Sequence, residues 1–359
     1  MKVAVYTIAL NEEQFVVPWY ESAKEADYLL IADTGSTDDT VKTAKKLGIN
    51  VIDVAVKPWR FDVARNASLA ALPRDIDYCI ALDMDEVLLP GWREELEKAH
   101  AEGATRPRYQ YTWNWKDSEE TVPGLQYGGD KIHSRFGYRW KHPVHEVLTV
   151  YGGMQETQTW VGLEIHHHPD NSKPRSQYLP LLAQAVEEDP SDDRNTFYYA
   201  RELFFYRQYE NAAKEFRRHL SLPRSTWAPE RAASMRYLAK IEPDNREEWL
   251  IKAIQQAPGR REALVEMAQH LYFTESWASC QHFAKKALKI AEKPLDYLCE
   301  EFAWGALPWD LAAIASYNLE EYKSAYEYGL KAAELDPTNQ RLQSNLAFYA
   351  KAKSDPSSL

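Results

Sequence analysis

The fold of this 359-residue chain is decided by one stretch, Ile80-Ala81-Leu82-Asp83-Met84-Asp85-Glu86. The apolar residues 78–82 predict a buried strand that runs directly into an acidic cluster. Side chains alternate between the two faces of a strand, so we expect Asp83 and Asp85 to point the same way. Two such carboxylates repel each other unless a positive charge lies between them, and Mg²⁺ or Mn²⁺ would supply it because both prefer oxygen ligands. A solvated acidic turn is the simpler alternative.

The residues before this stretch alternate between strand and helix patterns. Strands are predicted at residues 2–10, 28–32, 49–56 and 78–82, and helices at residues 15–26, 41–47 and 61–72. This alternation is typical of a parallel, doubly wound sheet, in which ligands bind at the carboxyl ends of the strands. Polar residues follow each predicted end, namely Asn11, Asp33, Arg60 or Arg65, and Asp83 with Asp85. Their convergence on one edge favours a ligand site over a solvated turn.

Composition limits the classes of function. The chain has 45% apolar residues, 12 Trp and 22 Tyr, which is enough for two folded domains. Its net charge of −11 argues against duplex DNA as the main partner. The three cysteines, Cys79, Cys280 and Cys299, form neither a disulfide nor a zinc pattern and favour a reducing cytoplasm. No apolar run is long enough for a membrane span or resembles a signal peptide, so we expect a soluble, cytoplasmic protein.

Four segments resemble, in order and spacing, the family 2 glycosyltransferases of the GT-A fold. They are Thr-Ile-Ala-Leu-Asn-Glu-Glu at residues 7–13, Ile-Ala-Asp-Thr-Gly-Ser-Thr-Asp-Asp-Thr at 31–40, Phe-Asp-Val-Ala-Arg-Asn at 61–66 and Leu-Asp-Met-Asp-Glu at 82–86. Two later segments, Pro-Val-His-Glu at 143–146 and Ile-His-His-His-Pro at 165–169, look like the bacterial and phage branch that carries tetratricopeptide repeats. The resemblance covers roughly residues 2–170. It implies an α/β GT-A domain with a Rossmann-like, mostly parallel sheet.

The resemblance also implies a role for single residues in binding a nucleotide sugar. Asp33 would accept hydrogen bonds from the base or ribose, Arg65 would lie near the base or diphosphate, and Asp83 would face the ribose or a metal-bound water. The full implied donor-binding set is Thr7, Ala9, Asn11, Glu13, Asp33, Arg60, Arg65, Asp83 and Met84. Two structural alternatives remain, in which Asp33 is a turn residue and Arg65 pairs with Asp62.

The metal, Mn²⁺ or Mg²⁺, would bind Asp85 directly and act as a Lewis acid as the nucleoside diphosphate leaves. GT-A enzymes often add a late histidine. We favour His167, because a strand through Leu163 and Ile165 points it toward the sheet, and place His145 second. An ordinary core or surface histidine is the alternative in each case.

Inverting transfer requires a general base near the acceptor hydroxyl. Glu146 is the predicted base, because the family places its acceptor-side carboxylate well after the metal motif. The alternatives in the intervening segment are Asp117, Glu119, Glu120 and Asp130. Aromatic residues of the same segment, Trp113, Trp115 and Tyr127, are candidate acceptor walls, because aromatic faces stack on sugar rings.

After residue 173 the pattern becomes helical and repeats with a period of 34 residues, as in tetratricopeptide repeats. Small residues recur at Ala200, Ser234, Ala268 and, after about 11 extra residues, Ala313; a second set follows 19 residues after each, at His219, Ala253, Ala287 and Ala332. We therefore predict two domains, at residues 1–172 and 173–359, the second all-α with about four helix pairs. Its surface would bind the acceptor, a partner protein or a second copy, or would only buttress the first domain.

Two functional hypotheses follow. The first is a metal-dependent, inverting enzyme that moves a hexose from a nucleotide sugar, a UDP-sugar by resemblance, to a hydroxyl or other nucleophile. The acceptor would be a protein, a surface glycan, a lipid-linked saccharide or a modified DNA base, with protein or glycan favoured. The second is a non-catalytic scaffold whose repeats bind a partner.

Overall fold

The computed structural model describes residues 1–170 and 178–354, and the chain forms two compact units, Met1–Pro190 and Ser191–Leu359. The predicted domain boundary at residues 172 and 173 lies outside the described residues. The elements of the first unit are β1 Val3–Ala9, α1 Glu13–Ala23, β2 Tyr28–Asp33, α2 Thr40–Lys46, β3 Asn50–Asp53, α3 Phe61–Ala71, β4 Tyr78–Ala81, β5 Glu86–Leu88, α4 Trp92–Ala101, β6 Arg106–Thr112, β7 Gln126–Gly129, β8 Ile132–Ser134, β9 Tyr138–Lys141, β10 Val147–Val150, β11 Gln158–His167 and α5 Tyr178–Glu188.

The first sheet has the strand order β3-β2-β1-β4-β8. Strands β1 to β4 pair in parallel, and β8 runs antiparallel to β4. Successive residues of β1 pack into different cores, Val5 with Trp19 of α1 and Tyr6 with Leu69 of α3. Helices therefore cover both faces, as a buried parallel sheet requires. The prediction of an α/β domain is confirmed, with a first sheet that is mostly parallel.

One local prediction was wrong. Strand β4 ends at Ala81, so Asp83 and Asp85 lie in a turn and not on one face of a strand. The chain leaves the sheet here because two backbone groups form hydrogen bonds with side chains. The N–H of Asp83 donates to the Glu86 carboxylate at 2.8 Å, and the ring N–H of Trp19 donates to the carbonyl of Leu82 at 3.0 Å. The turn closes with a hydrogen bond from the Glu86 N–H to the Asp83 carbonyl.

The second sheet has the order β5-β11-β6-β7 and brings the end of the first unit back to the acidic turn. Strand β11 runs antiparallel to β5, with His167 opposite Glu86. The remaining strands, β9 and β10, form an antiparallel hairpin. The pairing of β5 with β11 thus carries a histidine across 82 residues of sequence to Asp85.

The second unit is helical throughout its described part. Its elements are α6 Asp193–Phe205, α7 Tyr209–Ser221, α8 Ala228–Ile241, a 3₁₀ turn Pro243–Asn245, α9 Arg246–Gln256, α10 Glu262–Phe273, α11 Trp277–Leu288, α12 Glu301–Trp304, α13 Leu307–Asn318, α14 Tyr322–Leu335 and α15 Gln340–Ser354. Four helix pairs, α6/α7, α8/α9, α10/α11 and α13/α14, follow the predicted repeats. All eight predicted small-residue positions are at most 1% exposed. The repeat prediction is confirmed, because burial at these positions lets paired helices approach closely.

The extra residues between α11 and α13 pack back onto earlier helices of the second unit. Tyr297 stacks on Tyr198 of α6 at 5.9 Å and donates a hydrogen bond to Glu230 of α8. Three residues later, Glu300 pairs with Arg236 of α8 at 2.7 Å. This segment is therefore an integral part of the repeat surface and not a free loop.

Within residues 1–170 and 178–354, no helix combines the length and the apolar character that crossing a bilayer requires.

We expect Tyr297→Phe to lower the free energy of unfolding by about 1–3 kcal/mol, because the 4% exposed Glu230 loses a hydrogen-bond donor. Urea denaturation followed by circular dichroism measures this. The exposed Tyr206→Phe serves as control and should leave stability within about 0.5 kcal/mol. Equal stability of both variants would contradict the packing described for the inserted segment.

Candidate active site

Asp83 is held by two basic side chains. Its Oδ1 accepts a hydrogen bond from Arg65 of α3 and its Oδ2 accepts one from Lys131, each at 2.6 Å. Burial raises the pKa of Asp83, but the charges of Arg65 and Lys131 outweigh this and bring it well below the ordinary 3.8. Asp83 is therefore an ionised carboxylate whose charge the protein itself neutralises, and the expected repulsion with Asp85 does not arise.

Glu86, the third acid of the cluster, is a structural residue. Its side chain is 1% exposed, and one carboxylate oxygen accepts hydrogen bonds from both Tyr111 and Lys131, at 2.6 and 2.9 Å. The other oxygen holds the N–H of Asp83. Glu86 thus fixes the turn on which Asp83 and Asp85 lie.

Asp85 faces His167. Oδ2 of Asp85 lies 3.3 Å from Nε2 of His167, and the Asp85 carbonyl accepts the N–H of His168 at 2.7 Å. The other ring nitrogen of His167 lies 2.8 Å from the carbonyl oxygen of Trp113, which assigns the hydrogen to Nδ1 and leaves a lone pair on Nε2 in the neutral ring. The structure therefore brings the favoured histidine to the predicted metal-binding carboxylate.

This donor pair suits a divalent cation. Two lone pairs facing each other at 3.3 Å require a proton or a metal ion between them, and an oxygen with an imidazole nitrogen is a donor set that Mn²⁺ accepts. Burial lowers the pKa of His167, but the Asp85 carboxylate outweighs it, so the pKa lies above 6.5. A metal and a proton would compete for Nε2, and metal binding would weaken as the pH falls through this pKa.

His145 does not join this pair. Its ring lies 5.7 Å from that of Tyr178, in an edge-on contact. Among the described residues, no group of three or more His, Cys, Asp and Glu side chains is arranged to hold a metal ion. Of the two candidate histidines, His167 therefore lies beside Asp85, and His145 contacts Tyr178 instead.

Glu146 meets Asp83 through Arg65. The guanidinium of Arg65 is 6% exposed, donates from Nε to Glu146 and from Nη2 to Asp83, and lies over the ring of Trp140 at 5.0 Å. Its Nη1 is buried and has no hydrogen-bond partner among the described residues. The alternative partner for Arg65 is excluded, because Asp62 pairs with Arg60 at 2.9 Å.

The alternative bases have other partners or face solvent. Asp117 caps its own loop through Thr121, Asp130 pairs with Arg106 at 3.0 Å, Glu120 contacts His168, and Glu119 is exposed. Glu146 alone of the five candidates shares a cation with Asp83.

The carboxyl ends of β1 and β2 form the other half of the predicted donor site. Ala9 and Asp33 are register partners, and Asp33 accepts the N–H groups of Gly35 and Ser36 at 3.0 and 3.1 Å. Asp33 therefore stabilises the turn that follows it, which is the structural alternative given in the sequence analysis. Thr7 is fully buried on the same strand and donates to the adjacent carbonyl of Ile8.

Four predicted donor residues are used differently. Asn11 accepts the N–H of Thr37 at 2.8 Å, and Glu13 accepts that of Asp39 at 3.0 Å, so both side chains join the loops after β1 and β2. Arg60 pairs with Asp62 and with Glu188 of α5. Met84 is 3% exposed in the hydrophobic core. None of these four side chains is hydrogen-bonded to Asp83, Arg65 or Lys131.

Aromatic rings line the side of the site near His167. Trp113 stacks on His167 at 4.6 Å and remains 37% exposed, and Tyr127 lies 6.5 Å from Trp113. Trp115 donates its ring N–H to the His167 carbonyl at 3.0 Å and stacks on His168. Trp113 is thus the exposed ring of the group, and Trp115 mainly supports the histidine strand.

Two residues of the site, Lys131 and Glu86, were not predicted. Lys131 arrives because β8 pairs antiparallel with β4, which brings its carbonyl within 3.1 Å of the Ala81 N–H. No local sequence pattern marks that pairing. Glu86 stood within the acidic cluster, but only the turn geometry reveals its structural role.

Comparison with known proteins assigns the first unit to a family. Residues 4–145 match the family model described as Glycosyl transferase family 2. Uncharacterized glycosyltransferases of Rickettsia typhi and Rickettsia conorii are 34% and 33% identical over 97 residues, which cover 27% of this chain and 32% and 33% of those proteins. The chain thus spans about a third of the length of these curated relatives. Its first unit carries a family 2 glycosyltransferase domain.

Two solved structures show weaker likeness. Glucosyl-3-phosphoglycerate synthase from Mycobacterium tuberculosis, in complex with Mn²⁺, UDP and glucosyl-3-phosphoglycerate, is 24% identical, with 37% of this chain and 57% of that chain covered and a TM-score of 0.28. The C-terminal part of a TPR repeat-containing protein from Cytophaga hutchinsonii is 15% identical, with 50% and 67% covered and a TM-score of 0.41. Both scores are too low to support a conclusion about this chain.

We expect Asp85→Asn to weaken Mn²⁺ binding by at least roughly tenfold, because the Asp85 carboxylate, one of the two candidate metal ligands, loses its negative charge. Calorimetric titration with Mn²⁺ at a pH above the raised pKa of His167 measures the affinity. Asp244→Asn, an exposed position in the second unit, is the matched control and should bind like the wild-type protein. Equal Mn²⁺ affinity in both variants would remove Asp85 from the metal site.

Proposed function

We propose that this protein is a metal-dependent, inverting glycosyltransferase that transfers a hexose from a UDP-sugar to a hydroxyl group of a protein or glycan. The observation that carries the proposal is the meeting of Asp83 and Glu146 on the buried guanidinium of Arg65. Arg65 and Asp83 lie within residues 4–145, which match the family 2 glycosyltransferase model, and Glu146 directly follows them. Asp85 and His167 adjoin this cluster.

Donor binding is assigned to Asp33, Arg65 and Asp83, with the backbone of Thr7 and Ala9 lining the nucleotide pocket. Arg65 suits this role because its Nη1 is buried without a partner, and a phosphate or base oxygen would satisfy that atom. Asp83 is held ionised, so it accepts hydrogen bonds from sugar or ribose hydroxyls. When bound at Asp85 and His167, Mn²⁺ or Mg²⁺ would supply Lewis-acid stabilisation of the departing diphosphate.

Glu146 is assigned the role of general base. It is partly exposed, and Arg65 occupies only Oε1; among the described residues, Oε2 has no hydrogen-bond partner. Oε2 is therefore the atom that would take the proton of the acceptor hydroxyl. The exposed face of Trp113 would stack on a sugar ring and exclude water from that side of the site.

The acceptor class rests on two properties of the chain. A net charge of −11 disfavours a nucleic acid acceptor, although a modified DNA base is not contradicted by any contact in the site. The repeats, which in other proteins form extended binding surfaces, suit an acceptor protein, a glycan-bearing partner or a second copy of the chain.

We expect UDP to bind in the presence of Mn²⁺ more tightly than GDP, CDP or dTDP, because the site is assigned to a UDP-sugar. Calorimetric titration of the four nucleotides with and without Mn²⁺ measures this. Preference for another nucleotide would change the donor class alone. Lack of binding by all four would contradict the transferase and favour the scaffold hypothesis.

We expect Glu146→Gln to lower the rate of sugar transfer by at least about a hundredfold, because glutamine cannot accept the proton. Glutamine keeps an acceptor oxygen for Arg65, so UDP affinity should change by no more than about threefold. Glu97→Gln is the control, since it removes a carboxylate that also pairs with an arginine but lies on the exposed face of α4. Full transfer activity in Glu146→Gln, with donor binding intact, would exclude Glu146 as the base.

A further inference from the structure

Lys131 occupies the centre of the acidic cluster. Its Nζ donates to Oδ2 of Asp83 at 2.6 Å and to Oε1 of Glu86 at 2.9 Å, and it lies 5.9 Å from the ring centroid of Tyr111. Burial lowers the pKa of Lys131, but the two carboxylates outweigh this and raise it well above 10.5. The amine is therefore a permanent positive charge between two carboxylates.

The orientation of Lys131 is fixed from several sides. Glu86 is 1% exposed and is itself held by Tyr111, so it cannot move away from the amine without breaking buried hydrogen bonds. The backbone of Lys131 is tied to β4 through the N–H of Ala81. A lysine held in this way is pre-organised, and its position does not depend on a bound ligand.

The two carboxylates of the Asp-x-Asp motif consequently have different electrostatic surroundings. Both oxygens of Asp83 accept hydrogen bonds from cations, Oδ1 from Arg65 and Oδ2 from Lys131. Asp85 faces a single imidazole, whose Nε2 can present a lone pair. A divalent cation would meet two positive charges at Asp83, whereas no lysine or arginine of the described residues is hydrogen-bonded to Asp85.

We propose that Lys131 is a positioning residue that, together with Arg65, keeps Asp83 from binding the metal and reserves it for a hydroxyl of the donor. The assignment rests on the proposed function, because it presupposes a metal and a nucleotide sugar at this site. It explains how one short motif gives its two carboxylates separate roles. Asp83 keeps unused lone pairs, since each oxygen accepts only one hydrogen bond.

The test uses Lys131→Met in the full-length protein. Loss of the amine removes a repelling charge and frees Oδ2 of Asp83, so we expect Mn²⁺ affinity without nucleotide to increase roughly tenfold. UDP affinity in the presence of Mn²⁺ and the transfer rate should each fall by at least roughly tenfold, because Asp83 no longer holds its orientation. Lys131→Arg keeps the charge and should retain near wild-type Mn²⁺ affinity. General damage to the fold would weaken both kinds of binding, so opposite changes identify the positioning role.

Two further variants keep the test decisive. Lys131→Met leaves Glu86 buried without its cation, which destabilises the fold, so Lys131→Met/Glu86→Gln is measured as well and should show the same tighter Mn²⁺ binding. Lys98→Met removes an exposed lysine that pairs with Glu95 and should change neither affinity.

The outcomes separate this inference from the proposed function. Unchanged or weaker Mn²⁺ binding in the folded Lys131 variants, while the wild-type protein binds Mn²⁺ and UDP, would overturn the role of Lys131 alone. A wild-type protein that binds neither Mn²⁺ nor UDP would overturn the proposed function and this inference together. Tighter Mn²⁺ binding with weaker UDP binding would support both.

Discussion

The candidate site depends on one buried guanidinium, that of Arg65. It joins Asp83, which follows the fourth strand, to Glu146, which lies 81 residues away from Arg65 in sequence. Without Arg65, the carboxylates of Asp83 and Glu146 would share a largely buried region with no cation between them. Removing one partner of a buried ion pair lowers the free energy of unfolding by about 3–5 kcal/mol. The same cation that stabilises this arrangement also has a buried Nη1 without a hydrogen-bond partner in the described part of the chain. One residue therefore links the stability of the site to its capacity for an anionic ligand.

A second constraint is the pairing of β11 with β5. Because the two strands are antiparallel and His167 is opposite Glu86, the histidine strand ends beside the acidic turn. Trp113 then fixes the ring by accepting from Nδ1 and by stacking on it, which leaves Nε2 toward Asp85. The site thus combines groups from the first parallel sheet with groups from the second, mixed sheet. This division explains why residues of the candidate site such as Arg65 and His167 are far apart in the sequence.

The second unit obeys a different rule, in which each helix packs mainly on its neighbours. Its period is visible in the sequence because the same close approach of two helices recurs with a period of 34 residues and favours a small side chain, as at Ala200 and Ala268. His219 departs from this pattern, and its two ring nitrogens find partners in Ser225 and Ser234 within the core. A polar residue is tolerated there because both of its hydrogen-bonding groups are satisfied.

The sequence by itself determined the class of fold and the repeats, and it predicted residues of the candidate site. Strand and helix periodicities are local properties, and the ends of parallel strands meet at one edge, so Asp33 and Asp83 could be predicted at that edge without coordinates. The tertiary structure alone decided the turn on which Asp83 and Asp85 lie, the contact of 3.3 Å between Asp85 and His167, and the presence of Lys131 beside Asp83. These depend on a turn closed by the Glu86 side chain and on antiparallel pairings between distant strands. Such pairings are fixed by packing and hydrogen bonding across the whole unit, which leave no periodic signal in the residues that they bring together.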